Sequence, residues 1–164
     1  MAKLSQSASD DVQQGDALSR EEMRALLEEL LAAERAGVKV AAALRDDHPQ
    51  GPTRALLDAV RDDEAASCAL LAGALALLDA PAGARVGDFA ARVLALHGDR
   101  ARFALLQRGQ RWVVRRVEEA LPRVAHEGVA LALRRVLDLH HANVAACEQM
   151  LVSWPEDASP GTVR

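Results

Sequence analysis

Two glutamates, a glutamine and a histidine each lie on the centre line of an otherwise apolar helical stripe: Glu34, Glu64, Gln110 and His140. Counting helical position residue by residue, Met23, Leu27, Leu30, Val38 and Ala41 fall within about 40° of Glu34. Glu64 shares its face with Leu57, Val60, Cys68, Leu71, Leu75 and Leu78. Gln110 sits among Phe103, Leu106, Val114, Val117 and Leu121, and His140 among Val129, Leu133, Val136, Val144, Cys147 and Leu151. Each is near the middle of its helix. Antiparallel packing would bring all four to one height, as a polar layer inside a greasy core.

Such a layer needs a chemical reason, because a buried carboxylate without a partner would sooner take up a proton. One reason is a divalent metal ion. Two glutamates and a neutral imidazole balance its charge and offer the oxygen and nitrogen ligands suited to Fe, Mn or Zn. Glu34, Glu64 and His140 are then the ligands, and Gln110, Ser67 and Asn143 orient them or hold water. Such an ion could bind dioxygen or a peroxide at an open position. The other reason is a metal-free network, with His140 protonated against one glutamate, the second glutamate neutral and Gln110 bridging. The Ala-rich faces also leave room for a small ligand at the same level.

The elements that must carry these residues are legible in the punctuation. Residues 1–18, rich in Ser, Asp and Gln, read as a disordered tail. Ser19 with Glu22 forms a capping box, opening a helix that "DDHPQGP" closes after Asp47. A second helix runs from Pro52 or Thr53 to about Leu78. A connection of roughly 20 residues follows, longer than the usual bundle loop, and it holds a short helical stretch, "DFAARVLAL". A third long helix spans about Asp99 to Leu121, where Pro122 stops it. A fourth spans about His126 to Val152, and residues 154–164 read as a loose end. Short loops make the first and second helices antiparallel, and likewise the third and fourth. The long crossover lets the second and third run parallel. The expectation is one all-α domain over residues 19–153.

Composition narrows the function classes. The 164 residues suit one core. Half are hydrophobic and only 2% aromatic, so the core must be Leu, Val and Ala. A net charge of −4 argues against a dedicated nucleic-acid binder. The sequence offers no apolar run long enough for a transmembrane helix and no signal-peptide pattern, so a cytoplasmic protein away from the membrane is expected. A homodimer is compatible with all of this. Cys68 and Cys147 read as buried structural thiols, held too far apart along the helix axes to form a disulfide.

The chain resembles the ferritin-like four-helix-bundle superfamily in its long crossover and in the placing of Glu34, Glu64, Gln110 and His140. The stretches "LLEELLAAERAG", "VRDDEAASCALL", "RFALLQRGQRWVVRRVEEALPRV" and "VLDLHHANV" are similar to an uncharacterised bacterial group within that class. The resemblance covers roughly residues 20–150 and implies the fold. It also implies a metal site of one Glu on each of two helices and Glu-x-x-His on the other two. This chain has Ser67 where that scheme has a histidine, Gln110 where it has a carboxylate, and His140-x-x-Asn143 where it has Glu-x-x-His. The expectation is therefore one ion, not a pair.

Other polar residues read as surface. Asp138 and His141 have the carboxylate-x-x-His spacing, but on a solvated face, and are expected to pair with each other. Arg108, Arg111 and Arg115 form a basic ridge expected to pair with acids such as Asp62 or Glu29. Gly37 and Gly109 interrupt helices, as at a close helix–helix approach or, for Gly37, to leave space beside Glu34. Trp112 points off the Gln110 line, towards an interface or the rim.

Overall fold

Only helices form among residues 17–154, the residues that a computed structural model describes. They are α1 (Arg20–Asp47), α2 (Pro52–Leu77), α3 (Phe89–Leu94), α4 (Asp99–Ala120) and α5 (Glu127–Ser153), with a 3₁₀ turn at Leu121–Arg123 after α4. The boundaries follow from local chemistry. At the head of α1, Ser19 Oγ accepts from the Glu22 amide at 3.2 Å, and the Ser19 amide donates to Glu22 Oε2 at 2.8 Å. Two otherwise orphaned donors are satisfied together. Gly51, at φ 89°, turns the chain into Pro52, whose fixed φ suits the first turn of α2. Pro122 lacks the amide to continue α4, so the helix tightens into the 3₁₀ turn.

Polar contacts along the flanks fix the helix directions. Arg20 reaches the Leu78 carbonyl and Asp79, and Arg45 reaches Asp58 at 3.6 Å, so α1 and α2 are antiparallel. Arg100 donates to the Leu151 carbonyl and His141 lies 3.5 Å from Glu118, so α4 and α5 are antiparallel. Glu29 holds Arg116 and Asp47 holds Arg102, which sets α4 antiparallel to α1 and hence parallel to α2. The crossover makes this possible. It is tied to α1 where the Gly87 amide donates to the Ala32 carbonyl at 3.0 Å, and where Arg35 reaches the Gly83 and Arg85 carbonyls.

The polar layer divides the core. On one side, Leu, Val and Ala from α1, α2, α4 and α5 form the larger cluster, including Leu27, Leu30, Leu71, Leu75, Val117 and Leu133. On the other, Val40, Leu44, Leu57, Val93, Phe103 and Leu106 form a smaller one, with Ala41, Val60 and Cys147 beside it. The short α3 contributes Val93 to that smaller cluster and closes it.

Leu18 and Trp154, assigned to the tails on sequence, are docked. The Leu18 amide donates to the Arg123 carbonyl at 2.7 Å. Trp154 packs against Phe103, the rings tilted by 44° with centroids 4.8 Å apart. The rest of the expected tails lies outside the described residues. No helix among the described residues is long and apolar enough to cross a membrane.

Candidate metal centre

All four centre-line residues are enclosed: Glu34 and His140 are 0% exposed, Glu64 and Gln110 2%. Each comes from a different long helix. One carboxylate oxygen from Glu34, one from Glu64 and one ring nitrogen of His140 lie within 4.8 Å of one another. Ser67 and Asn143, one turn beyond Glu64 and His140, are buried as well.

The hydrogen bonds orient these groups towards a common centre. His140 Nδ1 is 2.9 Å from the Val136 carbonyl oxygen. A carbonyl only accepts, so Nδ1 carries the proton. That leaves Nε2 facing inward, 3.4 Å from Glu34 Oε1 and not aligned as a hydrogen bond to it. Gln110 Nε2 donates to Glu64 Oε1 and fixes that carboxylate. Gly37 provides the space: a Cβ there would collide with the Glu64 carboxyl group. The room expected beside Glu34 is thus given to Glu64.

Several atoms in the layer have no hydrogen-bond partner among the described residues. They are both Glu34 oxygens, His140 Nε2, Gln110 Oε1, Ser67 Oγ and Asn143 Nδ2. Burial pushes the Glu34 carboxyl well above the usual carboxylate range. The Glu64 charge acts in the same direction, because two carboxylates so close together disfavour a second negative charge. A cation among these groups would act in the opposite direction and favour the charged carboxylate.

The surroundings correct three expectations. His141 lies against Glu118 at 3.5 Å, not against Asp138, because the facing acid on α4 is nearer the imidazole than a residue on its own helix. Of the ridge, Arg111 pairs with Glu148 of α5, while Glu29 is taken by Arg116 and Asp62 by Arg61. Arg108 and Arg115 have no ion pair among the described residues. Cys68 is half-buried, not enclosed. Cys147 is fully buried, and burial pushes its thiol up to about 12. Both cysteines are free.

The room for a small ligand expected at this level takes the form of a cleft that reaches the layer from one side, by a path the sequence did not reveal. It lies between α1 and α4 under the crossover, has a volume of about 630 Å³, and includes Glu64 and Gln110 in its lining. Phe89 of α3 packs over Gly109, where a Cβ would come within 2.6 Å of the ring. The glycine in α4 and the length of the crossover were the available signals.

A family model for a domain of unknown function, DUF6306, matches residues 21–149. The chain belongs to this family. The DUF6306 span contains every residue of the polar layer. No curated protein and no solved structure matches the chain.

Proposed function

We propose that the chain is a ferritin-like four-helix bundle that holds one divalent ion, Fe, Mn or Zn, between Glu34, Glu64 and His140. The observation that carries this reading is the set of unpartnered buried atoms, both Glu34 oxygens and His140 Nε2, gathered with Glu64. Buried polar atoms are nearly always bonded, and an unmatched group of them marks a place for an ion or water. Ligand bonds of about 2.0–2.2 Å need only a small inward movement from the observed spacing. The parallel run of α2 and α4 across a long connection supports the ferritin-like reading.

The chain's own residues prepare the site. Val136 holds the His140 ring by its Nδ1–H and leaves Nε2 free to bind. Gln110 anchors Glu64. Ser67 Oγ and Asn143 Nδ2 can hold water at an open position. A bound ion would supply Lewis acidity, and iron or manganese would add redox chemistry towards dioxygen or a peroxide. Free thiols at Cys68 and Cys147 fit a reducing compartment such as the cytoplasm.

A second reading draws on the same 3.4 Å contact between His140 and Glu34. Protonated His140 could pair with Glu34, with no metal, in a bundle that serves as an interaction or stress-associated module, as a monomer or homodimer. Thermal unfolding of the chelator-treated chain, with and without added Zn²⁺, Mn²⁺ or Fe²⁺, separates the two. Under the metal reading, one of these ions raises the midpoint and Glu64→Gln abolishes the rise. Under the network reading, no ion raises it, and Glu64→Gln is neutral or stabilising.

A further inference from the structure

We propose that the cleft between α1 and α4 binds a small amphipathic organic anion, with its acid group at the mouth and a hydrogen-bond donor at the inner end. The cleft is built by the chain's own side chains, and this inference stands apart from the metal reading. If both hold, it names the class of molecule that reaches the layer.

Charge at the mouth is the first argument. Arg85, Arg92, Arg108 and Arg115 line it, all exposed, and none is in an ion pair among the described residues. Three acids share the lining. Glu29 is already held by Arg116 at 2.9 Å and Glu64 accepts from Gln110 at the floor, which leaves Asp88. Four guanidinium groups against one uncommitted carboxylate make a strongly basic opening on a chain whose net charge is −4. Guanidinium forks bind carboxylate and phosphate groups in two-point fashion.

The walls and floor supply the rest of the ligand's description. Phe89, Leu105, Trp112 and Val113 make the middle of the cleft apolar. At the floor stand Glu64 and Gln110, each 2% exposed. Gln110 gives its amide N–H to Glu64 and leaves Oε1 without a partner. An amide oxygen and a carboxylate only accept, so the ligand end that meets them must donate, as a hydroxyl or amine does. The volume, about 630 Å³, lies in the usual range for small-molecule sites.

Trp112 in the cleft wall provides the readout. The full chain carrying Trp154→Phe, freed of metal by chelator, leaves Trp112 as the emitting tryptophan. Its fluorescence is titrated with ω-hydroxydecanoate, the methyl ester of that acid, ω-hydroxydecyl phosphate and inorganic phosphate. Saturable shifts are expected with ω-hydroxydecanoate or ω-hydroxydecyl phosphate; which of them is tighter tells carboxylate from phosphate as the preferred head group. The ester and inorganic phosphate should bind about tenfold more weakly or less, since each lacks one half of the recognition. The double variant Arg108→Glu/Arg115→Glu alters exposed residues and should keep its helical circular dichroism while losing about tenfold or more in affinity. The inference is overturned if neither amphipathic anion binds, if the ester binds as tightly as the acid, if inorganic phosphate alone binds as tightly, or if the double variant binds unchanged. Should the double variant fail to fold, the acid-to-ester comparison on the parent chain decides alone.

Discussion

Glu34 and Glu64 lie in the same layer, yet only Glu64 has a protein donor. Gln110 holds Glu64, Gly37 makes space for it, and the α1–α4 cleft comes up to it. Glu34 is sealed, its oxygens unpartnered, opposite an imidazole fixed from behind by Val136. The difference separates two tasks. The Glu64–Gln110 half is arranged for access, and its carboxylate has a donor without an ion. The Glu34–His140 half is costly without one, because desolvation opposes its charge and no donor repays it.

The comparison can be broken most strongly at the sealed half. Glu34→Ala should remove all metal-linked stabilisation, about 4 kcal/mol at an ion concentration about a thousand times Kd, as read by thermal unfolding with and without the ion. On the anchored half, Gln110→Ala leaves the three ligands in place. It should weaken the ion about 10–100-fold, in the manner of other groups that orient a ligand, and equilibrium dialysis measures this. A variant that bound as tightly as the parent would show that Glu64 does not need its anchor.

Gly37→Ala tests the space between the halves. The added methyl group meets the Glu64 carboxyl group, so the variant should lose about 1–3 kcal/mol in denaturant unfolding and bind metal more weakly. Acidity sharpens the contrast next. The Glu34 carboxyl is raised above its ordinary 4.5 in the folded chain, so above pH 4.5 the folded state keeps a proton that the unfolded state releases. Metal-free stability from this group is therefore complete below pH 4.5 and declines as pH rises towards the folded pKa. Ion affinity should climb over the same window as the proton is displaced. Urea titrations at several pH values, with chelator, should show that decline in the parent and lose it in Glu34→Gln. The smallest effect belongs to the exposed pair outside the layer: His141→Ala should cost less than about 1 kcal/mol and leave metal binding unchanged.

The layer was legible because a helix repeats its faces by rule. Glu34, Glu64, Gln110 and His140 break four apolar stripes at mid-length, and burial of those stripes forces them inward. The helix ends were legible at Ser19, Pro52 and Pro122, where the side chain or its missing amide acts on the nearest turn. Choices among competing partners were not. His141 could face Asp138 or Glu118, and Arg111 could face an acid on any neighbouring helix; long side chains choose by small differences in distance that periodicity does not encode. The cleft was hidden for a related reason. Its lid, Phe89, comes from a connection whose path is set by Gly109 and by the Gly87–Ala32 hydrogen bond, contacts remote in sequence.

The most direct measurement is the metal content of the full chain purified without chelator, determined by mass spectrometry beside Glu34→Ala and His140→Ala prepared identically. The account predicts one divalent ion per parent chain and almost none in either variant. Trace metal in the parent, or the same content in all three proteins, would contradict it.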